Sequence, residues 1–399
     1  MSDMSKNGSR GLAGFSLVEM LLVIAIIGVL LALLLPALSD ARNSALQIRT
    51  TAMCTDLTNA AQRFGNDNAG RNPGYFTERQ MGSSSNWDSG GTPLVGMSAM
   101  ENAMLELGGT GVVLGRENDP DVVGLIDPDR GIIAIGPASD ANVRVVVNIN
   151  KIGAAGAYFT PDTKFFRAQF HGQPNQAQAA NNQILGDGQE LMPDVLDAWG
   201  RPMLVWAQDP MARGEILVEP NADEMAVYEQ FAQVDSDAGA AWFYLASNAA
   251  FLEARGFDDG NINMAADLVA NPDLGRTSTI GGGVDDAERI HTLATALASP
   301  GSFIVDPALP GIETATFEDI FPSRPRGRFI VHSAGRDGLF LSSADAGWRS
   351  NAHTDGTEFH LDFGNNFITQ SNTRITDRSG AASSIDMMDD FDDIFVGTK

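Results

Sequence analysis

The chain is poor in cysteine, in histidine and in basic side chains. Cys54 is the one cysteine among 399 residues, so no intramolecular disulfide and no cysteine-based zinc knuckle can form. Lys and Arg number 26 against 51 Asp and Glu, for a formal net charge of −25. That balance offers no basic face for phosphates and argues against nucleic acid as a partner. His171, His291, His332, His353 and His360 make no H-E-x-x-H pair. The glycine run at 281–283 has no following Lys-Ser/Thr and no G-x-G-x-x-G context, so it reads as a turn. No Ser-His-Asp signature stands in the chain, and the sequence reads as non-catalytic. Apolar residues are plentiful at 43%, with 42 glycines, so a sizeable core can form. At roughly 150 residues per domain the length allows two or three lobes.

The N-terminus carries most of the information. Residues 1–14 are polar, with Lys6 and Arg10 against Asp3. Residues 20–35 are then apolar or glycine without a break, and over 15–38 only Ser16, Glu19 and Pro36 interrupt. A helix over 15–38 would be about 36 Å long, enough to cross a hydrocarbon core of about 30 Å. The positive flank places residues 1–14 in the cytoplasm and the remaining chain across the membrane. A secretory signal has an apolar core of about 7–15 residues, which this run exceeds. A plain anchor fits the length but leaves Glu19 unexplained. Burying a lone carboxylate costs about 1–3 kcal/mol, so a partner or an escape to the interface is expected.

Gly14-Phe15-Ser16-Leu17-Val18-Glu19 resembles the processing site of type IV prepilins and type II secretion pseudopilins. The resemblance implies cleavage between Gly14 and Phe15 by prepilin peptidase and N-methylation of Phe15. Glu19 then becomes the fifth residue of the mature chain, where the family carries its assembly acid. Pro36 falls where the family carries a helix-loosening proline. Implied partners are copies of the chain, other pseudopilins, an inner-membrane assembly platform and membrane lipid. Cleavage would free an α-amino group with an ordinary pKa of about 7.7–8.0, one helical turn from Glu19. Such an ion pair, made to a neighbouring subunit, penalises wrong registers between otherwise featureless apolar helices.

Beyond Pro36, Ala41, Ala45, Ile48 and Ala52 recur at helical spacing, as do Met53, Leu57, Ala60 and Phe64. One helix over 16–64 is expected, kinked or locally melted at Pro36. Residues 63–74 are turn-rich. Short β-prone runs follow at 111–114, 131–136 and 142–149, with a turn at 127–131. Asp197, Trp199, Gly200 and Pro202 resemble the D-x-W-G-x-P hairpin of major pseudopilins, with Trp199 as a core anchor. Ser333, Gly335, Asp337 and Gly338 resemble the family's S-x-G-x-D-G turn. Residues 389–394 resemble its acidic D-D-I end. In that group an acidic C-terminal loop binds Ca²⁺, which would here draw on Asp337, Asp345, Asp389, Asp390 and Asp392. A solvated acidic tail is the alternative.

The expected architecture is α+β and pilin-like. A long N-terminal helix, membrane-spanning in its first half, packs on an antiparallel β-sheet head carrying inserted helical and loop segments. The divisions are a leader at 1–14, a transmembrane half at 15–38, an amphipathic half at 39–65 and a periplasmic head at 66–399. Insertions fall at about 77–190, 208–327 and 342–385, with helices expected at 223–234, 239–255 and 285–298.

Overall fold

A computed structural model describes residues 17–77, 88–89, 92–93, 98–136, 144–170, 190–208, 270–271, 276–277, 295–297, 299, 304–305, 320–321, 325–342, 386, 388 and 391–398. The chain divides into two compact units, Met1–Ile48 and Arg49–Lys399. The architecture is α+β: a long apolar N-terminal helix and antiparallel sheets.

Helix α1 covers Leu17–Asp67 and contains Pro36. The helix continues through Pro36. A proline removes one backbone hydrogen bond, and long helical flanks on both sides hold the remainder. Within the first unit the helix exposes its large side chains: Leu17 is 79% exposed, Leu35 63% and Leu38 69%. It is long and apolar enough to cross a membrane.

In the second unit α1 buries Thr50, Cys54, Leu57, Thr58, Ala60, Ala61 and Phe64. The second predicted stripe therefore faces the core, with Met53 at its margin. Of the first stripe, Ala41, Ala45 and Ile48 belong to the first unit, and Ala52 is exposed in the second. Both stripes fit the helical period, and only the packing partner decides which is covered. The sheets begin to cover α1 at Thr50.

The helix stops where the turn-rich stretch begins. Asn68 donates its side-chain amide to the Phe64 carbonyl, and the Gly70 N–H closes on the Gly65 carbonyl. Asn72 then donates to the carbonyls of both Gln208 and Arg328. Arg71 grips Glu106 through two hydrogen bonds of 2.6 and 2.8 Å.

Helix α2, Ala99–Leu107, was not expected from periodicity. Its signal is a capping box: the Ser98 hydroxyl accepts from the Glu101 N–H, and the Glu101 carboxylate accepts from the Ser98 N–H. Met100, Ala103, Met104 and Leu107 join the same buried cluster as Leu57 and Phe64. Part of the stretch read as the first insertion is thus core.

Strands β1 (Val113–Arg116), β2 (Ile132–Ile135) and β3 (Val145–Asn148) form one antiparallel sheet in the order β1-β3-β2. They lie within one to three residues of the predicted runs. The turn at 127–131 is a short 3-10 segment ending on left-handed Gly131. β4 (Phe166–Phe170) pairs with β5 (Glu190–Val195). The sheet that matters most contains β6 (Leu204–Ala207), β7 (Phe329–Ser333) and β8 (Ile394–Gly397), in the order β8-β7-β6. Of the predicted helices in the insertions, residues 295–297 are described and are helical; 223–234 and 239–255 lie outside the described residues.

Register fixes the two faces of this sheet. Ile330 lies opposite Trp206, and His332 lies opposite both Leu204 and Phe395. Those side chains share one face. Phe329, Val331, Val205 and Ile394 take the other, in one cluster with Cys54 and Leu57 of α1. Leu57→Ala should lower head stability by about 2–5 kcal/mol, whereas Ile48→Ala should cost under about 0.5 kcal/mol. Denaturant unfolding of the full chain in detergent measures both.

Candidate functional site

Two places carry the residues singled out by sequence. The first is the start of α1. Gly14 and Phe15 lie outside the described residues. Glu19 sits in the first turn of α1, where the helix dipole favours a carboxylate, and it is exposed among exposed apolar neighbours. Pro36 lies within the same exposed apolar stretch.

The second is a knot where the three head motifs converge. Asp197 is fully buried. Its Oδ1 accepts from the N–H groups of Trp199 and Arg201, both at 2.9 Å, while its own N–H donates to the Arg201 carbonyl. This closes a tight turn in which Gly200 takes φ +87, a left-handed conformation that excludes most other residues. Leu196 and Pro202 pair across it. The strands on either side, β5 and β6, belong to different sheets, so the motif works as a corner between sheets. Trp199 is half-buried at the margin of the core, and Trp206 is fully buried.

The other Asp197 oxygen, Oδ2, accepts from the Ser333 hydroxyl at 2.6 Å. That bond joins the first motif to the second. From α1, the Thr50 hydroxyl accepts the Ala198 N–H at 3.1 Å. The second motif meets the third at Gly335, where φ is +64 and a Cβ would fall on the Asp392 carbonyl. The Asp392 carboxylate accepts the Asp337 N–H at 2.8 Å, and Asp337 accepts the Leu339 N–H at 2.8 Å. Gly338 packs beside the Arg201 side chain.

Sequence reasoning missed the polar residues behind this knot. His332 is wholly buried between Asp393, whose Oδ1 is 2.6 Å from its Nε2, and Trp206, whose indole N–H donates to Nδ1 at 3.3 Å. Phe395 stacks on the imidazole at 3.9 Å. Desolvation, helped by the charge of Arg326, holds its pKa well below the usual histidine value. Asp393 also accepts the Leu341 N–H. The sequence hint was slight: an Asp immediately before the final apolar strand. Cys54 lies in the core with its thiol 3.7 Å from the Met203 sulfur, and burial pushes its pKa up, as for a packing residue.

Of the five acids assigned to calcium, Asp337 and Asp392 are brought together at one turn. Asp345, Asp389 and Asp390 lie outside the described residues. Among the described residues no group of three or more His, Cys, Asp or Glu is gathered for a metal. The two described carboxylates already anchor backbone N–H groups, so they could supply only part of the six to eight oxygens calcium takes.

Residues 10–35 match the Prokaryotic N-terminal methylation motif. The chain carries a type IV pilin-like N-terminus. Comparisons with curated proteins and with solved structures find no match. The matched segment spans the expected cleavage position, Glu19 and the apolar run up to Leu35. The motif implies processing by prepilin peptidase and assembly with other pilins.

Burial raises the Asp197 pKa above the ordinary carboxyl value, against the opposing pull of its hydrogen bonds. A carboxyl with a raised folded pKa binds more protons when folded. Its contribution to stability therefore falls as pH rises from the ordinary value through the folded one. Asp197→Asn keeps the acceptor oxygen and should flatten that slope relative to the parent while melting near it. Asp197→Ala should lose about 2–4 kcal/mol. Thermal melts of the full chain in detergent between pH 4 and 8 distinguish the two.

Proposed function

We propose that this chain is a structural subunit of a type II secretion pseudopilus. It is trimmed by prepilin peptidase between Gly14 and Phe15, methylated on Phe15 and assembled with copies of itself and other pseudopilins into a periplasmic filament that supports protein export. The observation that carries the reading is the methylation motif at 10–35 running into a helix whose apolar residues are exposed. Glu19 sets register, pairing with the freed amine of an adjoining subunit. The apolar half of α1 holds the subunit in the inner membrane until it is drawn onto the assembly platform. The head stands in the periplasm. No step of this function is catalysed by the chain itself.

The pseudopilus is favoured over a type IV pilus or a minor pilin by the head. Its three pseudopilin-like motifs are hydrogen-bonded or packed into a single knot through Asp197, Ser333, Gly335 and Asp392. Calcium belongs to this proposal at the same turn. Asp337 and Asp392 would be joined there by Asp345, Asp389 and Asp390, and the ion would tie the C-terminal segment to the turn.

Intact mass of the native protein should show a chain beginning at Phe15 with one added methyl group; a chain beginning at Met1 overturns the proposal. Glu19→Ala should insert in the membrane at parental levels yet lose assembly, read by shearing and cross-linking of filaments. Undiminished assembly would point instead to a membrane-anchored binding protein. The full chain in detergent should melt several degrees lower after chelation of calcium, and an unchanged melt removes calcium from the proposal.

A further inference from the structure

A sheet with one face on a helix ordinarily alternates apolar and polar side chains, because its other face meets water. The β8-β7-β6 sheet does not. Leu204, Trp206, Ile330 and His332 are 0% exposed on the face away from the α1 cluster. Phe340, itself 0% exposed, covers part of the face, its ring edge-on to His332 at 4.8 Å. Arg326 ties further segments down beside it. Arg326 lies three residues before β7. Its backbone N–H donates to the Leu297 carbonyl at 2.7 Å, and its Nε donates to the Ala296 carbonyl at 3.1 Å. Its two terminal nitrogens grip both Asp386 oxygens, the longer contact being 2.8 Å. Its guanidinium carbon lies 5.7 Å from the ring centre of Phe395, which stacks on His332.

Arg326 therefore joins the helical residues 295–297 of the insertion before β7, and Asp386 just after the insertion before β8, to the outer sheet face. The Arg326 and Asp386 side chains are only 16% and 19% exposed. Ala296 and Leu297 are 0% exposed and Met388 5%. A planar fork with five donors suits this task, because it reaches two carbonyl-bearing and carboxylate-bearing segments at once.

We propose that Arg326 and Asp386 form the clasp of an intramolecular lid. Residues 295–297 of the second insertion, with residues 386 and 388 just after the third, are locked over the Leu204-Trp206-Ile330-Phe395 face. With the clasp closed that apolar face is unavailable to other proteins. With the clasp broken the lid lifts while the helix-side core stays intact.

Hydrogen exchange of the full chain in detergent reads the lid, and Cys54 reads the opposite face. In Arg326→Ala, the amides of residues 295–297, 386 and 388 should exchange at least tenfold faster. Thiol labelling of buried Cys54 should stay within twofold of the parent. Asp386→Asn, which keeps the shape and one acceptor, should give the same pattern more weakly and serves if the alanine variant does not fold. The double variant Arg326→Ala/Asp386→Ala should be no faster than the faster single variant, since both remove one clasp. Unchanged exchange at the lid overturns the proposal. So does Cys54 labelling that rises in step with the lid, because Arg326 would then be supporting the whole fold.

Discussion

A helix that turns every large side chain from Leu17 to Leu38 outward has nowhere to exist in water, and the other properties of the chain follow from that. At 1.5 Å per residue this stretch is about 33 Å long, the thickness of a hydrocarbon core. Roughly 25 cal/mol per Å² of apolar surface drives it into lipid or against other helices of the same kind. An all-apolar rod has no preferred depth and no preferred register. In the proposed filament, Glu19 is the group that would supply both, because a carboxylate in such surroundings is stable only where a cation meets it.

The head uses the same economy of polar groups. Asp197, Ser333 and Asp393 are buried, and each of them holds backbone or a neighbouring side chain in place. Each removes unpaired N–H groups that turns would otherwise leave in a dry interior. The result is that a corner between sheets, the turn after β7 and the approach to the last strand are fixed relative to one another. The corner is also hydrogen-bonded to α1 through Thr50.

The long helix, the strand following Pro202 and β7 were legible because each rests on local signals: an apolar run, a turn residue, a β-branched stretch. So was the second stripe of α1, with Leu57 and Phe64 at its centre. The choice between that stripe and the one through Ile48 was not legible, because both satisfy the helical period and only a distant partner separates them. The bonds from Asp197 to Ser333 and from His332 to Asp393 span 136 and 61 residues. Periodicity and spacing carry no information at that range. Helix α2 was legible in principle, since Ser98 and Glu101 spell a capping box, but its short length hid the apolar repeat.

One further sign stood in the sequence. Residues 329–333 read Phe-Ile-Val-His-Ser, and residues 204–207 read Leu-Val-Trp-Ala. Neither alternates. A strand of an antiparallel sheet that lacks alternation predicts cover on both sides. With α1 on one side, the second cover has to come from the chain that lies between the strands. Phe340 supplies part of that cover, edge-on to His332 at 4.8 Å. In the proposed clasp, residues 295–297, 386 and 388 add to it where they meet Arg326.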